Sequence, residues 1–494
     1  MEKRSPDDSY RHVLKYTGVF GGVQGLKMFV SLLRNKLTAK LLGEAGMGLN
    51  KRFINVSEVI NAWTNFGISF YAVQRISEIY EEGTEDDMHR FVGVIRTWSV
   101  WSAILGGLLC FFLASWLNGY YFPMGEQHSL EIKLLSLFVA SLPIEAVECA
   151  ILKGLRRLRT VALIEVCSAF STLLFTIPVY YFFGFRGIVA SLVLCGWATA
   201  LIHLFFSVRI YRYRVQLFSH SVLREGWPLV RIGIPYVLAG VVGAMAAGEV
   251  YKRLGSDSVI GLYGVGYSLV VTYAGMVFKA LETDFFPRLS SINHDTPRLN
   301  HAINQQIDIC VLLITPIMIV FAMFMPQFIS LLYDSRFLPA VPMSQCAVFY
   351  MFFKAITTPI AYTSLAKGDS WLYLIMETVY DVVFVLMIGV SYGLWGLTGT
   401  GIALSASALF DLLMIGGVYA MCYHFRMRAK TLLHIIPQGI LLVFVMLASL
   451  FAFWPIKILV GTICLALSLI LSWRLLSPEL PIVQKIKRRL GMKD

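Results

Sequence analysis

The chain has 494 residues, of which 57% are hydrophobic and only 15% charged, and its mean hydropathy is +0.69. Soluble globular domains carry about 25% charged residues, so the composition excludes a soluble protein and predicts one with many membrane spans. The net charge of +12 is spread over many short segments, which excludes a concentrated basic surface for nucleic acid.

Fourteen apolar runs are long enough to cross a bilayer as helices, since a helix needs about 20 residues to span the hydrocarbon core. We therefore expect an all-α polytopic protein, because a barrel would show ~10-residue alternating segments instead. The second run is the most polar and is included because an even count places both termini on one side. The predicted spans are residues 10–38, 47–76, 90–117, 130–153, 160–183, 186–209, 228–252, 258–288, 304–333, 338–365, 370–391, 394–421, 432–453 and 456–476.

The orientation follows from the basic residues of the loops, which are concentrated on the cytoplasmic side of membrane proteins. Loops on the N-terminal side are rich in lysine and arginine throughout the chain. Beyond the first, the opposite loops contain only Arg186, Lys252, Arg253, Arg336 and Lys457. Both termini are therefore predicted to be cytoplasmic, and the charged N-terminus, which lacks a cleavage pattern, is expected to be retained.

Polar side chains line one face of the first two predicted spans, although most neighbouring side chains are apolar. Such a stripe must face protein or a water-filled cavity, because ionised groups in lipid cost several kcal/mol. Snorkelling to the interface is an alternative for Arg34, and a structural ion pair is one for Lys27. The stripes consist of Gln24, Lys27, Ser31 and Arg34 in the first span, and Arg52, Glu58, Asn61 and Asn65 in the second.

Acidic residues inside later spans are candidates for coupling transport to a cation, because two carboxyl groups on one helical face favour proton binding. The alternative is that each neutralises a nearby lysine or arginine, as Glu282 would Lys279 in the eighth span. The cysteines form no CxxC pair, and no catalytic or metal-binding residues are predicted. The coupling candidates are Glu58, Glu145, Glu148, Glu249, Glu282, Glu377 and Asp381.

Short phrases recur in order along the chain. "RISEI" at 75–79 matches "RLSSI" at 288–292 at an offset of 213, "KG" at 153 recurs at 367, and "GFRGIVA" at 184 pairs with "GLWGLTG" at 393. The pattern predicts two copies of a six-helix unit, residues 1–213 and 214–424, followed by two extra helices and a basic tail at 425–494. Parallel repeats of this kind enclose a central cavity and permit alternating access.

The sequence resembles the multidrug/oligosaccharidyl-lipid/polysaccharide (MOP) exporter superfamily, and within it the polysaccharide transporter or Wzx-type O-antigen flippase branch. The resemblance rests on "AKLLGEAGMGL" at 39–49 and "FGISFYAVQRISEIYEEG" at 66–83, with their counterparts "RLGSDSVIGLYGVGYSL" and "FFPRLSSINHD". It implies a bacterial inner-membrane flippase, not an enzyme. The cargo would be a polyprenyl-pyrophosphate-linked oligosaccharide, the repeat unit of an O-antigen, capsule or exopolysaccharide, moved from the cytoplasmic to the periplasmic leaflet.

The resemblance further implies coupling to H⁺ or Na⁺ and association with membrane lipids, a polysaccharide polymerase and chain-length proteins. Two alternatives of the same superfamily remain open: a flippase for the peptidoglycan lipid precursor and a cation-coupled drug antiporter. A polymerase or ligase is disfavoured because no long extracytoplasmic loop is predicted beyond the first. ATP-driven transport is disfavoured because no phosphate-binding loop motif is present.

The predicted headgroup site is a cationic patch that receives the pyrophosphate while the prenyl tail stays in lipid. Its basic residues are chosen by helical position, and polar neighbours on the same faces complete it. The patch consists of Lys27, Arg34, Arg52 and Lys279, with Gln24, Ser31, Asn61 and Asn65 beside them.

The charge distribution predicts a topology that fusion reporters can check. Reporters placed after residues 83, 220 and 494 should report cytoplasm, and those after residues 124 and 334 should report the opposite side. A reporter at the N-terminus that is found outside the cell would contradict the orientation.

Overall fold

The structure is a computed structural model that describes residues 6–123, 125–275, 278, 285, 288–290, 292–450 and 453–476, with the side chains of residues 6–24 outside that description. The described residues are helical with short connections and contain no strand. Eight of their helical segments are long and apolar enough to cross a membrane. The predicted all-α class is confirmed, whereas the count of 14 spans stays a prediction.

The chain divides into two compact units: unit 1 comprises Met1–Ile260 with Leu332–Asp334, and unit 2 comprises Gly261–Leu331 with Ser335–Asp494. The predicted repeat boundaries at 213 and 424 describe sequence similarity and stay predictions. The helices of unit 1 are α1 (Pro6–Thr64), α2 (Ile68–Glu82), α3 (Glu85–Phe112), α4 (Ala114–Tyr121), α5 (Ser129–Gly154), α6 (Leu158–Phe183), α7 (Gly187–Val208) and α8 (His220–Leu254).

Helix α9 (Asp257–Tyr267) crosses the boundary into unit 2 and continues as a π-helical turn, Ser268–Tyr273. The later helices are α10 (Thr296–Leu332), α11 (Val341–Cys346), α12 (Val348–Ala366), α13 (Ser370–Tyr423), α14 (Ala429–Leu450) and α15 (Trp454–Leu476). Helix α13 covers the predicted spans 370–391 and 394–421, and α1 covers the first span and most of the second, because each passes through a glycine break.

Unit 1 is a bundle whose core is apolar. One cluster of buried side chains joins α1, α3, α4 and α5 around Phe53, Leu117 and Leu135. A second joins α2, α3 and α5 around Ile76, Ile95 and Ile151. The core holds the polar face of α1 against its neighbours, so the positions of the site residues depend on this packing.

The internal repeat is visible in backbone conformation. Residues with positive φ recur at a constant separation of 212 residues, whereas the matching phrases in the sequence suggested 209 to 214. A left-handed residue interrupts a helix or closes a turn and therefore fixes where helices begin and end. The pairs are Gly43 and Gly255, Arg156 and Gly368, and Gly184 and Gly396.

The close contacts at the third break support the same alignment. A Cβ on Gly187 would lie 2.9 Å from the Val179 carbonyl oxygen, and one on Gly399 would lie 1.9 Å from that of Ser391. These two glycines are again 212 residues apart. The sequence alignment of Gly184 with Gly393 is therefore corrected by three residues, and Gly184 corresponds to Gly396.

Each repeat also fixes the segment that follows its last helix. In unit 1 the Arg96 side chain of α3 donates to the backbone oxygens of Tyr211 and Arg212, each at 3.0 Å. In unit 2 the Asn304 side chain of α10 donates to the Arg426 oxygen at 3.0 Å. Satisfying these carbonyls with side chains holds both connections in defined positions.

Candidate functional site

The polar face of α1 lies in unit 1 with a cation at each of three levels. Lys27 and Arg34 precede the break at Gly43, where φ is 64° and ψ is −166°, and Lys51 follows it. The break changes the direction of α1 between the two predicted spans. Of the predicted residues on this face, Ser31 is half-buried, and the side chain of Gln24 lies outside the described residues.

Lys27 contacts the carboxylate of Glu165 on α6. The pair is not enclosed by protein, since the Lys27 side chain is 42% exposed and that of Glu165 is 24% exposed. The ion-pair alternative for Lys27 is thus present in the structure. A partly exposed lysine with one partner still has ammonium hydrogens available for a second anion.

Arg34 and Lys51 form the more electropositive part of this face. The Arg34 guanidinium reaches only its neighbour Asn35, at 3.4 Å, and it interacts electrostatically with Lys51 and with Tyr180 of α6. Within the described part of the chain, neither cation has an acidic partner within salt-bridge distance. Two like charges held together in this way favour binding of an anion.

Glu58 lies two turns after Lys51 on the same helix and is exposed. It is the acid that interacts with Lys51 over longer range. The Asn61 Oδ1 is buried without a hydrogen-bond partner among the described residues, whereas Asn65 Oδ1 accepts from the Gly67 amide at 2.8 Å and shapes the start of α2. Asn61 is thus available to a ligand, and Asn65 has a structural contact.

Arg52, although predicted as a phosphate contact, is buried within unit 1. Its Nε donates to the Asp257 carboxylate at 2.5 Å, its Nη1 donates to the Tyr121 oxygen at 2.6 Å, and its Nη2 donates to the Gly255 oxygen. Its side chain is 2% exposed. These contacts favour a structural role, because the guanidinium has no open side for a ligand.

The approach of α1 to Asp257 depends on a glycine. A Cβ on Gly48 would lie 1.7 Å from the Asp257 carbonyl oxygen, so no other residue fits without displacing the start of α9. The glycine in the quoted phrase "AKLLGEAGMGL" thus allows the Arg52 contact to form.

The predicted coupling acids of unit 1 have structural partners. Glu148 forms a buried pair with Arg96, with both carboxylate oxygens at 2.8 Å from the guanidinium nitrogens. Glu145 accepts from the Thr199 hydroxyl at 3.0 Å, and Glu249 pairs with Arg253 at 3.2 Å one helical turn away. Lys279 and Glu282 lie outside the described residues.

The coupling acids of unit 2 belong to a cluster around a lysine that sequence reasoning missed. Lys354 of α12 contacts the Asp411 carboxylate at 2.6 Å, and its ammonium lies 4.2 Å from the ring centroid of Tyr380. Glu377 and Asp381 of α13 interact electrostatically with both members of this pair. Three carboxyl groups therefore share one ammonium, and full ionisation would leave an uncompensated negative charge.

The sequence matches the family described as "Polysaccharide biosynthesis protein" over residues 37–342. No curated protein sequence matches the chain. Among solved structures, a lipid II flippase MurJ in an inward closed conformation is similar over 92% of this chain and 99% of its own, with a TM-score of 0.65 and 14% identity.

Two further structures share the fold. An inward-facing multidrug resistance MATE family transporter of the MOP superfamily covers 81% of this chain and 94% of its own, with a TM-score of 0.63 and 14% identity. A MOP superfamily transporter from Pyrococcus furiosus, described as having a binding pocket of reverse polarity, covers 81% of this chain and 93% of its own, with a TM-score of 0.52 and 14% identity.

The fold and the long apolar helices define a multi-pass membrane protein of the MOP transporter class. Since the family match spans more than half of the sequence, the chain belongs to the polysaccharide biosynthesis protein family. The predicted resemblance to the MOP superfamily is confirmed.

The contacts of Arg52 predict a loss of stability on substitution. Arg52→Ala leaves Asp257 and two backbone oxygens without their donor, and breaking a buried pair in this way costs about 3–5 kcal/mol. The melting temperature of the purified protein should fall well below that of Arg75→Ala, which removes an exposed pair worth at most about 1 kcal/mol. An Arg52→Ala protein that melts like the wild type but no longer binds substrate would instead make Arg52 a ligand contact.

Proposed function

We propose that the protein is a flippase that moves a polyprenyl-pyrophosphate-linked oligosaccharide from the cytoplasmic to the periplasmic leaflet of a bacterial inner membrane by alternating access. Membership of the polysaccharide biosynthesis family supports the sugar-linked substrate. The observation that carries the proposal is the row of three cations on α1, in which Arg34 and Lys51 have no acidic salt-bridge partner among the described residues.

The chemistry of the headgroup explains why cations are needed. A pyrophosphate diester is anionic, and contacts between phosphate oxygens and lysine or arginine are among the strongest hydrogen bonds in proteins. They strengthen when water is excluded and weaken when the site rehydrates, which allows binding on one side and release on the other. The unpartnered Asn61 oxygen can accept from a sugar hydroxyl.

A flippase for the peptidoglycan lipid precursor is the second candidate. It is favoured by the similarity to MurJ, which extends over nearly the whole of both chains, whereas the MATE structures leave about a fifth of this chain unmatched. A drug antiporter is less well supported, since a cationic drug would be repelled by Arg34 and Lys51.

Reconstituted vesicles separate these functions. We expect the wild type to flip a polyprenyl-pyrophosphate-linked oligosaccharide faster than lipid II and to leave a cationic dye untransported. Arg34→Ala, Lys51→Ala and Lys27→Ala should each reduce flipping by roughly ten- to a hundredfold, since a hydrogen bond to a charged group contributes about 1.5–3 kcal/mol. Lys27→Arg should retain part of the activity because charge is the main requirement.

The matched control is Arg75→Ala, which removes a cation from an exposed pair of the same unit. If all three α1 variants flipped at the wild-type rate, the proposed site would be wrong. Preferential flipping of lipid II would favour the second candidate.

We further propose that the Lys354 cluster couples transport to a proton. Asp411 is already neutralised by the ammonium, so Glu377 and Asp381 are the excess acids. No group of three His, Cys, Asp or Glu side chains within the described ranges could hold a metal ion, which favours a proton over Na⁺.

The coupling proposal predicts a loss of response to the pH gradient. Asp381→Asn should lower gradient-driven flipping to the rate seen with a protonophore, because the amide cannot exchange a proton. Asp295→Asn, which alters an exposed pair with Arg298, is the control and should respond like the wild type. Flipping driven by a sodium gradient alone, without a pH gradient, would contradict proton coupling.

A further inference from the structure

The three ion pairs of unit 1 that join different helices inside the bundle differ in how firmly they are held. Arg96 and Glu148 are buried, with side chains 0% and 1% exposed, and Ser207 also donates to the carboxylate. Arg52 is held by two backbone oxygens in addition to its acid. Both pairs are therefore fixed parts of the structure.

The Lys27–Glu165 pair has no such support. In the described part of the chain, neither side chain makes any other hydrogen bond, which leaves two ammonium hydrogens and one carboxylate oxygen free. Both side chains are also partly exposed. Exposed pairs stabilise a protein by little, so this contact can be exchanged for another at low cost.

Glu165 occupies a position that recurs in the second repeat. Glu377 lies 212 residues later, at the separation fixed by the glycine breaks, and it interacts electrostatically with Lys354. In both units this position therefore supplies a carboxyl group to a lysine from another helix. The lysines come from different helices, so the acid is the shared feature.

We propose that Glu165 is the resident counter-ion of Lys27 and that the pyrophosphate of the substrate takes its place on the ammonium. The inference rests on the proposed function. In the empty protein the acid neutralises a lysine that would otherwise be costly inside a bilayer. The pyrophosphate carries more negative charge than one carboxylate and is attracted more strongly, and Arg34 on the same face adds to that attraction.

The test is equilibrium binding in nanodiscs, with inorganic pyrophosphate and polyprenyl pyrophosphate as separate probes. Glu165→Gln removes the competing anion and should bind both probes about fivefold more tightly than the wild type. Lys27→Gln/Glu165→Gln should lose this gain, because the ammonium that the acid occupied is absent. Glu78→Gln, which removes an acid from an exposed pair of the same unit, should bind like the wild type.

A second measurement uses the wild-type protein and does not depend on the folding of the single variant. Binding of pyrophosphate should shift a carboxylate band in the infrared difference spectrum, and the band should be missing in Lys27→Gln/Glu165→Gln. Binding by Glu165→Gln that equals or falls below the wild type, or a gain that persists in the double variant, would overturn the exchange.

The two probes separate the possible sources of the phosphate. Tighter binding of polyprenyl pyrophosphate than of inorganic pyrophosphate supports a lipid headgroup, and the reverse overturns it. If the wild type binds neither probe, the proposed function fails together with this inference. If the wild type binds both and Glu165→Gln gains nothing, only the exchange fails.

Discussion

An ionised side chain inside a bilayer requires a compensating charge, and the structure depends on how each charge meets this requirement. Arg96 with Glu148 and Arg52 with Asp257 meet it permanently, through buried contacts that also bind backbone oxygens. These pairs hold the connection after α7 and the start of α9 in place. Unit 1 is therefore rigid at the points where its chain enters and leaves the bundle.

Other charges are compensated incompletely, and these define the candidate sites. Lys27 shares one contact with Glu165, Arg34 and Lys51 have no acidic partner within salt-bridge distance in the described ranges, and unit 2 has more carboxyl groups than ammonium groups around Lys354. Incomplete compensation is costly without a ligand. A row of cations in one unit and an excess of acids in the other suit an anionic cargo and a cationic coupling partner.

The fold class and the repeat could be predicted because apolar length and recurring glycines are local properties of the sequence. The register of the repeat could not, because left-handed backbone fixes the separation at 212 residues and one of these residues is Arg156. Arg52 was assigned to the substrate because its acid lies 205 residues away and its other acceptors are backbone oxygens. Lys354 was missed because it lies in an apolar helix and its partner is 57 residues distant.

The central claim is that the α1 cations hold the pyrophosphate, and nitrogen–phosphorus dipolar recoupling in solid-state NMR tests it most directly. With ¹⁵N-labelled lysine and arginine and bound polyprenyl pyrophosphate, we expect phosphorus contacts to lysine and arginine side-chain nitrogens that disappear in Lys51→Ala and Arg34→Ala respectively. Phosphorus contacts that persist unchanged in both variants would place the headgroup elsewhere and contradict the account.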